Sequence, residues 1–207
     1  QKFKNEKSSL KEFLHMLLKI SKNHHRSQDF FLKIEQITSY LEEDIKNNFS
    51  NEDLFDFFKN DKKFLMSLFK KKIIIIDEKI SQHLASSDEL FFYPEIKSFI
   101  NEENKKKIEE KIVNIDEEAF NREREIGENN SYLCTLIRND SVEEFITYVN
   151  KTNLPLNSEI PISIFETNPF LLKHEKTTLI QYSAFCGSNQ IFNYLRMSNA
   201  NLDSWKK

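Results

Sequence analysis

At 207 residues the chain can bury a sizeable core, as one large domain or two small ones, and its 39% hydrophobic and 30% charged content excludes a disordered polymer. With 2 glycines and 4 prolines it lacks the turn formers of a many-stranded sheet protein, so helices are expected. A net charge of −3 argues against a general nucleic-acid binder. Cys134 and Cys186 make no disulfide framework and read as free thiols of a reducing compartment. No apolar run approaches the roughly 18 residues of a membrane span, and no signal peptide is visible. An intracellular, cytoplasmic protein without metal or cofactor is expected.

The first part reads as successive amphipathic helices. Leu10, Phe13, Leu14, Leu17 and Leu18 share one helical face, with Ser9 and Glu12 as a capping box. After a break at Asn23-His24-His25, Phe31, Ile34, Thr38, Leu41 and Ile45 trace a second helix, ended by Asn47-Asn48. Ser50, with Asp53 at the reciprocal position, caps a short helix carrying Leu54, Phe57 and Phe58. Asp61 caps a long one, expected to run from Phe64 through Ile73, Ile74, Ile75 and Ile76 to Leu84. Four isoleucines alone suit a buried strand. With no partner strand in the sequence, the reading is a helix buried on most sides.

An aromatic segment follows, Leu90-Phe91-Phe92-Tyr93, capped by Ser86-Ser87-Asp88. Pro94 turns the chain and opens a helix to Ile100. Ile108, Ile112 and Ile115 lie on a charged helix from about Asn101. Another, from Asp116, carries Phe120 and stops at Gly127. Two short helices come next, with Leu133, Cys134 and Ile137, then Val142, Phe145, Ile146 and Val149 facing inward around an Asn139-Asp140-Ser141 turn. Residues 152–176 hold Pro155, Pro161 and Pro169 and read as an irregular insertion. Three glycosylation triplets, at Asn48, Asn129 and Asn150, read as chance in an Asn-rich chain.

Residues 178–203 carry the strongest pattern. Thr178 heads a turn and offers a capping hydroxyl. Ile180 takes a buried position, and Ser183 and Ala184 form a small-residue pair. Gly187 is a turn glycine suited to positive φ. Ile191, Tyr194 and Leu195 form an apolar ridge, and Asn199-Ala200-Asn201-Leu202-Asp203 a polar hairpin. This order resembles an ankyrin repeat. Leu179 stands where the family has proline, Gln181 where it has histidine, and Asn199 where it has glycine. The 131–150 hairpin reads as a degenerate preceding repeat, with Asn139 set 48 positions before Gly187, the excess over the usual period lying in the insertion.

Over about residues 10 to 205 the chain also resembles a group of protist ankyrin-repeat proteins in which a helical domain of unknown function precedes the repeats. The strings that carry this are Phe91-Phe92-Tyr93-Pro94-Glu95-Ile96-Lys97, Gly127-Glu128-Asn129, Leu136-Ile137-Arg138-Asn139-Asp140-Ser141, Glu143-Glu144-Phe145-Ile146 and Ser163-Ile164-Phe165-Glu166-Thr167-Asn168. The resemblance implies an all-α chain, with a helical array over 1–127 and the start of an ankyrin solenoid over 128–207. It implies further repeats after Lys207, entered at Asp203-Ser204-Trp205, and no activity.

The expected function is a non-enzymatic protein-interaction scaffold. Tyr182 and Phe185, at variable inner-helix positions, and Asn201 and Asp203 near the hairpin tip are the candidate partner contacts; the aromatic pair serves equally to pack on the insertion or the next repeat. A second reading is a membrane-surface or phosphoinositide adaptor using Lys70, Lys71 and Lys72 with Lys105, Lys106 and Lys107. A third is a thiol enzyme with Cys186 and His174, opposed by the absence of oxyanion-hole glycines. His15, His24 and His25 lack metal-ligand spacing, and His83 reads as a half-buried helix residue.

Overall fold

The computed structural model describes residues 7–23, 27–112, 116–174, 176–198 and 200. Among these the chain is all-helical; the only β pairing is an isolated antiparallel bridge between Glu159 and Thr178. It divides into two compact units. One comprises the residues up to Ile126 together with Thr167–Pro169, and the other runs from Gly127 to Glu166 and from Phe170 onward.

The first unit is built from α1 (Lys7–Asn23), α2 (Gln28–Tyr40), α3 (Glu42–Asn48), α4 (Asn51–Phe58), α5 (Lys62–Lys70), α6 (Glu78–Ser87), α7 (Tyr93–Ile96), α8 (Glu102–Ile112) and α9 (Glu117–Ile126). Leu10, Leu14, Leu17 and Leu18 of α1 are buried, as the helical spacing requires. Ser9 lies inside this helix and so is not its cap. The expected second helix is two: Thr38 and Ser39 hydroxyls donate back to the Ile34 and Glu35 carbonyls at 2.7 and 2.9 Å, a bond that bends helices, and the break falls at Leu41. Ser50 and Asp53 form the reciprocal box that caps α4. Asp61 caps α5, its Oδ1 accepting the Phe64 N–H at 3.0 Å.

The long isoleucine helix does not form. Helix α5 stops at Lys70, and Lys72 takes a left-handed φ of 54°. Residues 73–76 are neither helix nor strand, with Ile73 and Ile74 buried and Ile75 exposed. Their backbone finds a partner in a side chain. Asn51 Nδ2 donates to the Ile75 carbonyl, and Asn51 Oδ1 accepts the Ile75 N–H, both at 2.8 Å. One carboxamide thus satisfies the two groups a neighbouring strand would have satisfied. Asp77 then caps a new helix, α6, accepting the Ile80 N–H at 2.8 Å. Helix α7 includes Tyr93, with Pro94 in its first turn, and ends at Ile96 instead of Ile100. Asn101 and Asp116 cap α8 and α9 through the Asn104 and Ala119 N–H groups. Ile115 and the His24-His25 break lie outside the described residues.

The core of this unit is aromatic. Rings run from Phe31 to Phe64, Phe58 and Phe57, and from Phe69 to Phe92 and Phe91, with centroids 4.7 to 6.5 Å apart. Each such pair contributes about 0.5–1.5 kcal/mol beyond its burial. Arg124 is sealed among them, 2% exposed. Its guanidinium lies 5.1 Å from the Phe91 centroid and 5.8 Å from that of Phe120, and it pairs with Glu95. The Tyr93 hydroxyl donates to Glu109 Oε1 at 2.6 Å. The 91–97 string is therefore a structural hub.

The second unit contains α10 (Tyr132–Arg138), α11 (Val142–Thr152), α12 (Pro169–Lys173) from Phe170 onward, α13 (Leu179–Cys186) and α14 (Asn189–Met197). Helices α10 and α11 form one hairpin, and α13 and α14 another. Helix α10 packs on α13 and α11 on α14. Phe145, Val149, Ile180, Ile191 and Leu195 share their common core. The two hairpins turn alike. Asp140 and Gly187 are both left-handed, with φ of 53° and 73°. The Ser141 N–H reaches the Leu136 carbonyl at 3.0 Å, and the Ser188 N–H reaches that of Ser183 at 2.9 Å. These are six-to-one closures that satisfy orphan carbonyls at a helix end. The residue equivalent to Gly187 is thus Asp140, not Asn139, and the offset is 47 positions. Of the 178–203 hairpin, Asn199 and residues 201–203 lie outside the described residues.

Candidate functional site

The helical hairpins of the second unit are tied together by polar groups at their turns. Asp140 reaches across: Oδ2 accepts the Gln190 N–H at 3.0 Å and Oδ1 the Ile191 N–H at 2.9 Å. These are orphan donors of the first turn of α14, so the turn of one hairpin caps the outer helix of the next. The Ser188 hydroxyl donates in the other direction, to the Ile137 carbonyl. At α13, Gln181 Oε1 accepts the Thr178 N–H at 2.8 Å.

Arg138 is the hub of a second network. Nη1 donates to the Asn129 carbonyl at 2.5 Å and to the Tyr182 hydroxyl at 3.0 Å, Nη2 to the Thr135 hydroxyl at 3.2 Å, and Nε pairs with Glu128 at 2.9 Å. Asn129 is 2% exposed. Its Nδ2 donates to the Pro161 carbonyl at 2.6 Å, and its N–H donates to Glu166 Oε2 at 3.2 Å. The Ser163 hydroxyl donates to Asn130 Oδ1 at 3.1 Å. Three of the strings behind the resemblance, around Glu128, Arg138 and Glu166, therefore meet here and pin the 152–176 insertion down. The buried Asn129 amide is also closed to a glycan in this fold.

The predicted contact residues separate. Tyr182 is buried and bonded to Arg138, and burial raises its hydroxyl far above the ordinary tyrosine range. Phe185 is half-buried and stacks on Phe170, centroids 5.7 Å apart and 3° from parallel. His174 lies against Phe170 as well, 4.6 Å between centroids. Tyr182 thus packs within its own unit, and the insertion supplies a partially exposed aromatic, Phe170, that sequence reasoning did not single out. Asn201 and Asp203 lie outside the described residues. Ile180, Ile191 and Leu195 are core; Ala184 is exposed.

Beside this stack is a cavity of about 250 Å³. Its apolar wall includes Ile160, Ile162, Leu171 and Leu172; Glu166 and His174 also line it. Ile162 is 92% exposed at its rim, whereas Glu166 is only 7% exposed. The sequence hinted at it only through Pro161, which disfavours helix before it, whereas Pro169 opens α12.

The other candidate chemistries look as follows. Burial pushes the Cys134 thiol up to about 11, opposite to what a nucleophile needs, and Cys186 is half-buried before the Gly187 turn. Lys70 pairs with Glu125, Lys105 with Glu102 and Lys107 with Glu103, while Lys71 donates to the Glu35 carbonyl and the Ser39 hydroxyl. His15 lies against the Phe57 ring; His83 is exposed and edge-on to Phe55. Among the described residues no group of three or more His, Cys, Asp or Glu is positioned to hold a metal, and no helix is long and apolar enough to cross a membrane.

Comparison of the chain with family models, with curated proteins and with solved structures gives no match.

Proposed function

We propose that this chain is a non-enzymatic protein-binding module of the ankyrin type, a helical domain joined to the start of a repeat solenoid, of the protist group its sequence resembles. The observation that carries the reading is the paired stacking of inner helix on inner helix and outer on outer, closed at Asp140 and Gly187 by the same left-handed turn. Such stacks bury a continuous core between neighbours and present loops and inner-helix surfaces to partners. The assignment of binding rests on analogy of fold, since a fold by itself names no activity.

The experiment is affinity capture from native cells, followed by reconstitution with the purified candidate. Direct binding that Phe170→Asp or Phe185→Asp weakens at least about tenfold, with the fold intact, supports the reading. Capture that reconstitutes only with anionic vesicles, and dissolves with salt, turns it toward a membrane-surface role.

A further inference from the structure

The first unit holds a cleft of about 360 Å³, within the roughly 300–1,000 Å³ of small-molecule sites. Helix α1 lines it with Lys7, Lys11 and Leu14, which share one face at i, i+4 and i+7. Helix α4 lines it with Asp53, Leu54, Asp56 and Phe57, and Phe49 comes from the residue after α3. The two leucines are buried, the two rings half-buried, and the four charged residues exposed. The cleft thus has a cationic wall, an anionic wall and an apolar floor. Its charges are not spent on one another. Asp53 Oδ2 accepts the Ser50 N–H at 3.3 Å, and Asp56 pairs along its own helix with Lys59 at 2.9 Å. Lys7 Nζ lies 5.2 Å from the Phe49 centroid. Among the described residues neither Lys7 nor Lys11 forms an ion pair with Asp53 or Asp56. The Asp53 carboxyl is held below the ordinary carboxylate range, first by its hydrogen bonds with Ser50 and then by Lys7 and Lys11, so it is ionised at neutral pH.

A ligand that completes such a cleft brings a negative group to one wall, a positive group to the other and hydrocarbon to the floor. A lone anion would face Asp53 and Asp56 as like charges, and a lone cation would face Lys7 and Lys11 in the same way. A free α-amino acid carries both charges a few bonds apart, with its side chain beside them. We infer that this cleft is a binding site for a free α-amino acid with an apolar side chain, its carboxylate on Lys7 and Lys11, its ammonium toward Asp53 and Asp56, and its side chain against the Phe49 and Phe57 rings. The inference is independent of the protein-binding reading, which rests on the second unit.

The test titrates the whole chain with phenylalanine, N-acetyl-phenylalanine, phenylalaninamide and alanine, below neutral pH so that free amines stay protonated. The readout is the methyl resonances of Leu14 and Leu54. Phenylalanine should shift both saturably. The acetyl derivative lacks the ammonium, the amide lacks the carboxylate and alanine lacks the ring; each should bind about fivefold more weakly or worse. Lys7→Met with Lys11→Met should weaken phenylalanine about fivefold without weakening phenylalaninamide. Asp53→Asn with Asp56→Asn should weaken phenylalanine to a similar degree without weakening the acetyl derivative. Asparagine at 53 keeps an acceptor for the Ser50 N–H, and the exposed lysine pair keeps the test decisive if the Asp53 change unfolds the chain. Absence of a saturable shift with phenylalanine, equal binding of all four compounds, or phenylalanine binding that ignores both pairs of substitutions overturns the inference. Tighter binding of the acetyl derivative than of phenylalanine also overturns it, in favour of a plain anion site.

Discussion

The first unit seals charge inside an aromatic core, whereas the second keeps its decisive charges at turns. Arg124, Lys63 and Asp61 are each at most 3% exposed in the first unit. Arg124 survives burial because Glu95, Asn121 and two ring faces surround it, yet its Nε–H has no acceptor. In the second unit Asp140 sits half-buried in a turn and receives two backbone N–H groups. A buried pair costs desolvation and lends the core a unique arrangement, with little net stability. A turn carboxylate costs little desolvation and repays one strained φ with two hydrogen bonds. The two units should therefore answer differently to substitution.

The largest effect is expected at Arg124. Arg124→Ala strands Glu95 and opens a void between Phe91 and Phe120, costing about 3–5 kcal/mol in urea unfolding. The double change Arg124→Met with Glu95→Gln should recover most of that loss. If the double change is as damaging as the single one, the pair is a source of net stability and the contrast collapses. Next comes Gly187→Ala. No atom lies within 4 Å of the added Cβ, so only the left-handed backbone is strained, by about 1–2 kcal/mol. Asp140→Ala should cost about 1 kcal/mol through the lost cap. Asp140→Gly should be close to neutral, because relief of φ strain offsets the missing cap, although hydrogen exchange at the Gln190 and Ile191 amides should quicken in both variants. Slow exchange there would show that Asp140 does not cap α14.

The smallest effect is alkaline. Cys134 in the second unit is raised from an ordinary 9.0 to about 11 by burial, and Tyr93 in the first from 10.0 to about 12, by burial first and the Glu109 hydrogen bond second. In both, the folded state holds the proton more tightly. The stabilisation is full below the unfolded value and fades as pH rises through the folded one. The second unit should therefore soften over about pH 9–11 and the first over about pH 10–12. Thiolate absorbance in a Cys186→Ser chain would follow Cys134 directly, and a thiolate formed near pH 8 would refute the assignment.

The two units were not equally legible in the sequence. Gly187 and Thr178 announce the second hairpin because caps and left-handed turns are chosen by residues a few positions apart. The same local chemistry gave Ser50, Asp61 and Gly127 their roles. The isoleucine segment was misread because its deciding partner, Asn51, lies 24 residues away, and the left-handed Lys72 is not a residue type that advertises positive φ. Arg138, legible only as part of a string, proved to be a hub because its partners come from three separate segments. The cavity was hard to read for the same reason: its wall joins an irregular loop to the short helix α12.

The carboxamide of Asn51 has a bearing on solubility as well as on shape. Four consecutive isoleucines form the kind of short, uncharged, β-branched stretch from which intermolecular sheets nucleate. Ile73 and Ile74 are withdrawn into the core, but Ile75 remains outside with its backbone facing a side-chain amide. A second molecule seeking a strand to extend finds both hydrogen-bonding groups of that residue already taken. Asn51 thereby acts as a gatekeeper over the most aggregation-prone stretch of the chain, and it stands outside that stretch in sequence.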